Sequence, residues 1–179
     1  MNATDQRIYN EALAYGAPDL VAEFMVDQAR DESANYSSGV YLDDNNAFGM
    51  HFVGQYGATA STRHFDGTIP YAHYNSLEDS VDDLVTWLNN RESEGLFYVE
   101  ELTTPQAYAD ALKSGGYYGE SAEEYGGDLT AIDQQIFVDG NNSDGTDTGG
   151  SGAGGGSNTN YLYIAGGLVL VFLLVGTKN

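Results

Sequence analysis

The 179-residue chain contains no cysteine and only six lysine or arginine residues. Without cysteine, disulfide bonds and thiolate metal sites are excluded. The 27 aspartate and glutamate residues give a formal net charge of −21 at pH 7. Because such a chain repels a phosphate backbone, we predict no nucleic-acid partner. The acidity itself is typical of a soluble surface, including one in a salty medium that screens self-repulsion.

A secretory signal is also missing from the first residues. Residues 1–16 read MNATDQRIYNEALAYG and contain neither a basic n-region nor an apolar h-region. This pattern is not that of a secretory signal peptide, so we do not expect export by the general secretion route.

The composition changes near residue 139 and predicts three parts. Residues 1–138 mix apolar, aromatic and acidic positions as a globular domain does. Residues 139–160 are rich in glycine, serine, asparagine and aspartate, which predicts a flexible linker. Residues 161–177 carry no charge, which predicts a single C-terminal transmembrane helix.

The apolar segment is short for a membrane span. As a helix, residues 161–176 cover about 24 Å, against a hydrocarbon core of about 30 Å. Tyr161 and Tyr163 at one end and Lys178 at the other are typical of interfacial residues. The alternative is an element that packs on the globular domain or on a partner. We favour a membrane anchor, because a glycine-rich tether suits an anchor better than a docked element.

Within residues 1–138, the pattern predicts an α+β domain that is mainly helical. Apolar residues repeat at helical spacing in residues 19–31, and residues 76–79 and 121–124 resemble capping boxes at two further helix starts. Residues 50–74 are instead rich in aromatic and β-branched side chains, with Asp66-Gly67 as a hairpin turn. This predicts a small β-hairpin insertion.

Glu32 stands where the helix of residues 19–31 should end. A carboxylic acid at the end of a buried helix, facing a cleft, can keep a proton for a glycosidic oxygen, since desolvation raises the pKa of such an acid. The residue alone is a weak signal. Among 27 carboxylates, any single one is most often a solvated surface charge.

Four segments strengthen the interpretation of Glu32. Residues 28–33, QARDES, resemble the Q-x-x-x-E-[ST] helix end of the glucosaminidase family, and residues 46–50, NAFGM, resemble its N-L-F-G-I turn. Residues 71–80 resemble its F-x-x-Y-x-S-x-x-E-[AS] segment, and residues 111–117 its A-L-x-x-A-G-Y element. The family includes flagellar-rod muramidases and the glucosaminidase domains of bacterial autolysins. The order and spacing extend the resemblance over residues 20–132.

The resemblance implies a lysozyme-like fold that cuts the glycan strands of peptidoglycan, with Glu32 as the general acid. For the second acidic group we carry over Asp66, the only acidic residue between residues 50 and 75. For the cleft tyrosines, ordinary aromatic packing is the alternative. The predicted substrate-binding residues are Tyr36, Asn46, Phe48, Tyr74, Tyr98 and Tyr117.

Two departures from the family pattern bear on substrate fit more than on Glu32. The family usually has Gly-Trp-Gly after the catalytic glutamate, where this chain has Ala34-Asn35-Tyr36, and Ala47 replaces a leucine in the turn. The three histidines, His51, His64 and His73, all fall in or beside the β insertion. We interpret them as hydrogen-bonded strand residues rather than zinc ligands, and predict no metal or cofactor.

Two functions remain open from the sequence. The first is a membrane-tethered peptidoglycan glycosidase, acting by hydrolysis or by lytic transglycosylation. The second is a lysozyme-like module that binds glycan or supports a virion without cutting. The layout favours an enzyme on the internal membrane of a phage, with virion proteins as further partners. The alternative is a tail-anchored enzyme of a bacterial cell membrane.

Overall fold

The computed structural model describes residues 1–119 and 121–138. Six α-helices and one hairpin form this part of the chain, with a 3₁₀ helix at Val99–Glu101 and a π-helical turn at Gln134–Val138. The helices are α1 (Ala3–Ala14), α2 (Asp19–Glu32), α3 (Gly39–Asp44), α4 (Leu77–Ser93), α5 (Pro105–Ser114) and α6 (Ala122–Asp133). The strands are β1 (Ala58–Asp66) and β2 (Ile69–Tyr74).

Side-chain caps fix where the helices begin. Ser76 accepts a hydrogen bond from the Asp79 amide, and Ser121 accepts one from the Glu124 amide, as the sequence predicted. Asn2 forms a full capping box with Asp5 at the start of α1. Each cap satisfies a backbone donor that the first helical turn leaves unpaired. The short helix α3, which begins after Ser38, was not predicted from the sequence.

The core lies where the helices meet. Helix α2 packs against α1 and α6, α1 packs against α4, and α5 packs against α6. The largest apolar side chains of these faces are fully buried, and they include Ile8, Met25, Leu84, Leu88, Leu112 and Leu129. Their burial supplies the main favourable term in folding. It also brings the end of α2 against α6.

The hairpin and the segment before it form a small β-lobe, residues 50–74. Strands β1 and β2 are antiparallel, with Asp66 opposite Ile69 across the predicted Asp66-Gly67 turn. The chain before β1 adds to the other side of β2, where the Phe52 amide donates to Pro70 and the Ala72 amide to Met50, both at 2.8 Å. Ala72 and Tyr74 are buried on one face of β2. Tyr71 and His73 therefore lie on the opposite face.

These observations confirm a mainly helical domain with a small β-hairpin. The predicted linker at 139–160 and the predicted transmembrane helix at 161–177 lie outside the described residues. Within residues 1–119 and 121–138, no helix is both long enough and apolar enough to cross a bilayer.

One acidic side chain lies inside the helical core. Asp27 of α2 is fully buried, and neither of its carboxyl oxygens has a hydrogen-bond partner among the described residues. Burial raises the pKa of Asp27 to about 8, and the charges of Asp133 and Glu23 add to the rise. The folded chain therefore keeps this proton at neutral pH, because an ionised carboxylate without partners is costly in the interior.

Asp27 should make the fold less stable as the pH rises. The unfolded chain releases this proton near the ordinary pKa of 3.8, and the folded chain releases it only near 8. The contribution of protonated Asp27 to the free energy of unfolding is therefore fully present below pH 3.8. It is lost between pH 3.8 and about 8, by up to about 1.4 kcal/mol for each pH unit. Asp27→Asn removes the titration. The free energy of unfolding of the variant, relative to that of wild type, should therefore rise by at least about 2 kcal/mol as the pH is raised from 5 to 8.

Urea unfolding at several pH values, followed by the fluorescence of Trp87, the single tryptophan, measures this difference. The exposed Asp110, changed to Asn, is the control for charge. If the free energies of unfolding of wild type and Asp27→Asn changed with pH in the same way, Asp27 could not be a buried, protonated carboxyl.

Candidate active site

Glu32 is the last residue of α2, as the sequence predicted. The amide of Ser33 closes the helix on the carbonyl of Ala29, and the Ser33 hydroxyl donates to the same carbonyl. That hydroxyl also accepts from the amide of Tyr36 at 2.8 Å. Ser33 thus ties the helix end to the loop that follows, which sets the direction in which Glu32 leaves the helix.

The loop after Glu32 turns through three left-handed residues in succession. Ala34, Asn35 and Tyr36 have φ angles of 49°, 54° and 66°. Such angles cost a residue with a Cβ atom roughly 1–2 kcal/mol, whereas glycine adopts them readily. In the family pattern that the sequence resembles, Gly-Trp-Gly stands at these positions, so the missing glycines leave strain beside the candidate acid.

A buried ionic cluster holds this loop. Asp5 is fully buried, and it accepts from Arg30 at 2.9 and 2.6 Å and from the Tyr36 hydroxyl at 2.7 Å. Burial alone would raise the pKa of Asp5, but the hydrogen bonds from Arg30, Tyr36 and Asn2 outweigh it and hold the pKa below 3.8. Asp5 is therefore a carboxylate, and it secures both the last turn of α2 and the reversed loop.

The carboxyl group of Glu32 lies between a tyrosine and a glycine. The hydroxyl of Tyr125, from α6, donates to Oε1 at 3.0 Å. A Cβ atom added to Gly49 would lie 3.1 Å from Oε2. Gly49 has a φ of 63°, so glycine suits this position both for its backbone and for its lack of a side chain. The carboxyl is thus fixed at Oε1, and the backbone of residues 46–50 passes close to Oε2.

The turn of residues 46–50 is itself held by Asn46 and Tyr117. The Asn46 side chain is buried, donates to the carbonyls of Met50 and Ala72 at 2.8 and 3.0 Å, and accepts from the Met50 amide at 3.1 Å. The Tyr117 hydroxyl donates to the carbonyl of Phe48. These contacts attach the turn to β2 on one side and to the helical part on the other.

The charge of Glu32 contributes to the raised pKa values of four tyrosines. Burial raises the pKa values of Tyr108, Tyr117 and Tyr125 well above 10, and the charge of Glu32 raises each further. For Tyr71, on β2, burial comes first and the charges of Asp66 and Glu32 follow. All four hydroxyls therefore stay protonated at neutral pH and can serve as hydrogen-bond donors.

Asp66 lies in the β-lobe, on the same side of the hairpin as Tyr71. Its side chain is 65% exposed, and its Oδ2 is 3.5 Å from Nε2 of His51. The ring of His51 contacts that of Tyr71, with centroids 5.0 Å apart. Burial raises the pKa of Tyr71, and the charges of Asp66 and Glu32 raise it further, so Tyr71 is near both carboxylates. The backbone gives a second link, because His51 pairs with Tyr71 and Gly49, two residues before His51, lies beside Glu32.

The other predicted site residues differ in exposure. Phe48 and Tyr74 are fully buried, and the Tyr74 hydroxyl donates to Asp83 at 2.6 Å. Asn46 and Tyr36 form hydrogen bonds within the protein. These four residues therefore hold the segments beside Glu32 in place. Tyr98 is 63% exposed and precedes the 3₁₀ helix. Tyr117 is partly buried and packs edge-on against Trp87 at 5.3 Å.

Sequence reasoning missed several residues that contact or border Glu32. Gln28 accepts from the buried Tyr108 at 2.6 Å, which links α2 to α5. Tyr125 was not predicted as a site residue, and Tyr71 was named only as part of a motif. A tyrosine on an apolar helix face is a signal for a buried polar partner, because its hydroxyl needs one. The partner's identity needs the fold.

No three His, Cys, Asp or Glu side chains within residues 1–119 and 121–138 come together as a metal site. The site is instead a carboxyl at a helix end, flanked by tyrosines and facing a small β-lobe. A helical domain with a small β-lobe and a carboxyl at a helix end is the arrangement expected of a lysozyme-like glycosidase.

The family model named Glucosaminidase, described as mannosyl-glycoprotein endo-beta-N-acetylglucosaminidase, matches residues 8–137. The chain belongs to the glucosaminidase family, as the four sequence segments predicted. No curated protein matches the chain.

Two solved structures share the fold. A peptidoglycan hydrolase from Sphingomonas sp. A1 has a TM-score of 0.56 at 20% identity, covering 83% of this chain and 95% of that chain. A type VI secretion system effector-immunity complex from Pseudomonas protegens has a TM-score of 0.52 at 19% identity, covering 75% of this chain and 95% of that chain. At these identities the likeness concerns the fold.

Gly49→Ala tests how closely the turn sets the carboxyl. We expect glycan cleavage to fall at least about tenfold, because the added methyl presses on Oε2 at 3.1 Å and a small displacement of a catalytic group is costly. Stability should fall by about 1 kcal/mol from the left-handed backbone.

Gly95→Ala is the matched control. Gly95 has a φ of 78°, and no described atom lies within 4 Å of the added Cβ. It should lose similar stability and keep its activity. Equal losses of activity in both variants, measured beside their unfolding curves, would show that strain alone is responsible.

Proposed function

We propose that this protein cleaves the β-1,4-linked glycan strands of peptidoglycan, with Glu32 as the general acid. The observation that carries this proposal is the carboxyl of Glu32 itself, held by Tyr125 at Oε1 with Gly49 beside Oε2. The carboxyl end of α2 carries partial negative charge, which favours the protonated form of an acid there.

The choice of peptidoglycan as substrate is supported by one of the two solved structures that share the fold. The Sphingomonas protein that shares the fold is a peptidoglycan hydrolase, and it is covered over 95% of its length. The β-lobe beside Glu32 supplies aromatic and hydroxyl groups such as Tyr71, which suit a sugar face and its hydroxyls. The net charge of −21 gives no long-range attraction for a wall that carries carboxylates, so short-range contacts must provide the affinity.

Asp66 is our proposed second carboxylate. A positive charge develops on the sugar ring as the bond breaks, and an ionised group on the far side of the ring stabilises it. The contact of Asp66 with His51 orients its carboxyl group, and the side chain is open to solvent and substrate. In a hydrolase it would act on water or on the sugar. In a transglycosylase the sugar's own hydroxyl attacks, and Asp66 would serve by its charge alone.

The remaining predicted residues fall into two roles. Tyr36, Asn46, Phe48 and Tyr74 hold the loop and the turn on either side of Glu32, so we propose that they position the site. Tyr117 fixes the same turn through the carbonyl of Phe48 and is itself partly exposed. Tyr98 is exposed, and we retain it as an outer sugar contact.

The proposed place of action is a membrane surface. The support is the sequence beyond the described residues, where a glycine-rich stretch at 139–160 leads to the uncharged run at 161–177. We propose that this segment tethers the enzyme to a membrane, with the internal membrane of a phage as the favoured setting. Fractionation of purified particles before and after lipid extraction tests it, since loss of the protein with the lipid is expected. A bacterial membrane is the alternative.

Glu32→Gln should abolish cleavage of purified peptidoglycan while leaving the fold intact. Loss of general acid catalysis alone costs about 10²–10⁴-fold. The measurement is release of soluble fragments, with circular dichroism as the check on folding. Glu123→Gln, an exposed glutamate in the first turn of α6, is the matched control. Undiminished release by Glu32→Gln would remove the assignment. Binding without any release by wild type would favour a non-catalytic glycan module.

Asp66→Asn in the same assay should reduce the rate by about tenfold or more while KM changes little, because the charge acts on the transition state. Mass analysis of the products separates the two routes. Reducing ends indicate hydrolysis, and anhydro-sugars indicate transglycosylation. An unchanged rate would assign the second role to another group.

A further inference from the structure

One histidine of the β-lobe, His51, lies near both proposed carboxylates. It stands two residues after Gly49, whose added Cβ would lie 3.1 Å from Oε2 of Glu32. Two residues span at most about 7 Å, so the backbone of His51 is close to the candidate acid. The ring of His51 reaches the second carboxylate, with its Nε2 3.5 Å from Oδ2 of Asp66.

The place of His51 is fixed through its backbone and its ring. The backbone pairs with that of Tyr71 in an antiparallel bridge, and the two rings contact each other with centroids 5.0 Å apart. The carbonyl of His51 accepts from Nε2 of Gln55 at 3.1 Å, and Oε1 of Gln55 accepts from the amide of Val53 at 2.8 Å. His51 is therefore anchored in the lobe, while its side chain keeps 36% exposure.

The carboxyl of Asp66 needs a partner that holds it in one orientation. Asp66 ends β1 opposite Ile69, and its side chain is 65% exposed. An exposed side chain samples several rotamers, and a misplaced catalytic group loses rate. The distance of 3.5 Å to His51 is longer than a hydrogen bond. Catalytic contacts are often long without substrate and shorten when it binds.

The other basic side chains of the β-lobe pair with two aspartates of α3. These pairs are Arg63 and His64 with Asp43, at 3.1 and 3.0 Å, and His73 with Asp44, at 2.9 Å. They join the hairpin to α3. Among the described residues of the lobe, His51 is thus the basic side chain that contacts Asp66.

We propose that His51 is a positioning residue, which holds Asp66 in one orientation relative to Glu32. The inference rests on the function proposed for these two carboxylates. The N–H at Nε2 donates to Oδ2 of Asp66, and His51 does not need to touch the sugar. Because the same segment carries Gly49 beside Glu32, one short piece of backbone and one side chain relate the two carboxylates to each other.

A residue that acts in this way affects kcat more than KM. The charge of Asp66 acts on the transition state, so its misplacement weakens the transition state and leaves the binding of substrate nearly unchanged. A residue that supported only the fold would lower stability instead, and its effect on the rate would not depend on Asp66.

Two substitutions of His51 separate the contact with Asp66 from other losses. Gln places an N–H donor near the position of Nε2 of histidine, whereas Asn places one near Nδ1. On purified peptidoglycan, His51→Asn should lower kcat by about fivefold to tenfold and leave KM within about twofold. His51→Gln should keep kcat within about twofold of wild type. His64→Asn, which removes a pair with Asp43 in the same lobe, is the matched control and should keep kcat as well.

The same substitutions combined with Asp66→Ala form a double-mutant cycle. In that background His51→Asn and His51→Gln should have equal rates, because no carboxylate is left to position. An equal loss of kcat from His51→Asn with and without Asp66 overturns the proposal, and so does a His51→Gln variant as slow as His51→Asn. Urea unfolding of each variant checks that the fold is retained. An Asp66→Ala variant with the kcat of wild type would remove Asp66 as the second carboxylate, and the role of His51 with it.

Long-range ¹H–¹⁵N spectra of the histidine rings test the contact without cleavage. In the neutral ring, His51 should carry its proton on Nε2, which faces Asp66. Asp66→Ala should move that signal and leave those of His64 and His73 in place. A proton on Nδ1, or a His51 signal that Asp66→Ala does not move, overturns the proposal. If wild type releases no fragments from peptidoglycan, the function proposed for Glu32 fails, and these spectra still decide whether His51 holds Asp66.

Discussion

The carboxyl end of α2 is the constraint on which the site depends. Glu32 is the last helical residue, and the chain then reverses through three residues with positive φ that are not glycine. Such a reversal persists only if its surroundings hold it. Asp5 does so from α1, by accepting from Arg30 before the reversal and from Tyr36 after it. The position of the candidate acid is therefore set by an ion pair that joins the last turn of α2 to a different helix, α1.

The same helix couples the acid to the core. One face of α2 contacts α6, which supplies Tyr125 to Glu32, and the buried Asp27 experiences the charge of Asp133 at the end of α6. Gln28, one turn before Glu32, receives the hydroxyl of Tyr108 from α5. The contacts that stabilise the helical part and those that orient the carboxyl are thus the same contacts. Changes in packing between α2 and α6 should reach Glu32 directly.

The sequence predicted the helix end at Glu32, the caps at Ser76 and Ser121, and the Asp66-Gly67 turn, because each depends on residues within a few positions of one another. It also predicted the family, since the four motifs keep their order. It did not predict which side chains meet at the acid. Tyr125 lies 93 positions from Glu32, and no local pattern records that distance. Phe48 and Tyr74, predicted as substrate contacts, are buried supports of the site in this structure.

The sequence by itself determined the mainly helical class, the hairpin insertion, the family and the candidate acid. Periodicity, capping and motifs depend on residues that are close together in the sequence, so they can be recognised without the fold. Only the tertiary structure decided how that acid is held. Asp5, Gly49, Tyr71 and Tyr125 approach Glu32 or its loop from four separate segments, and their roles exist only once the helices and the β-lobe pack.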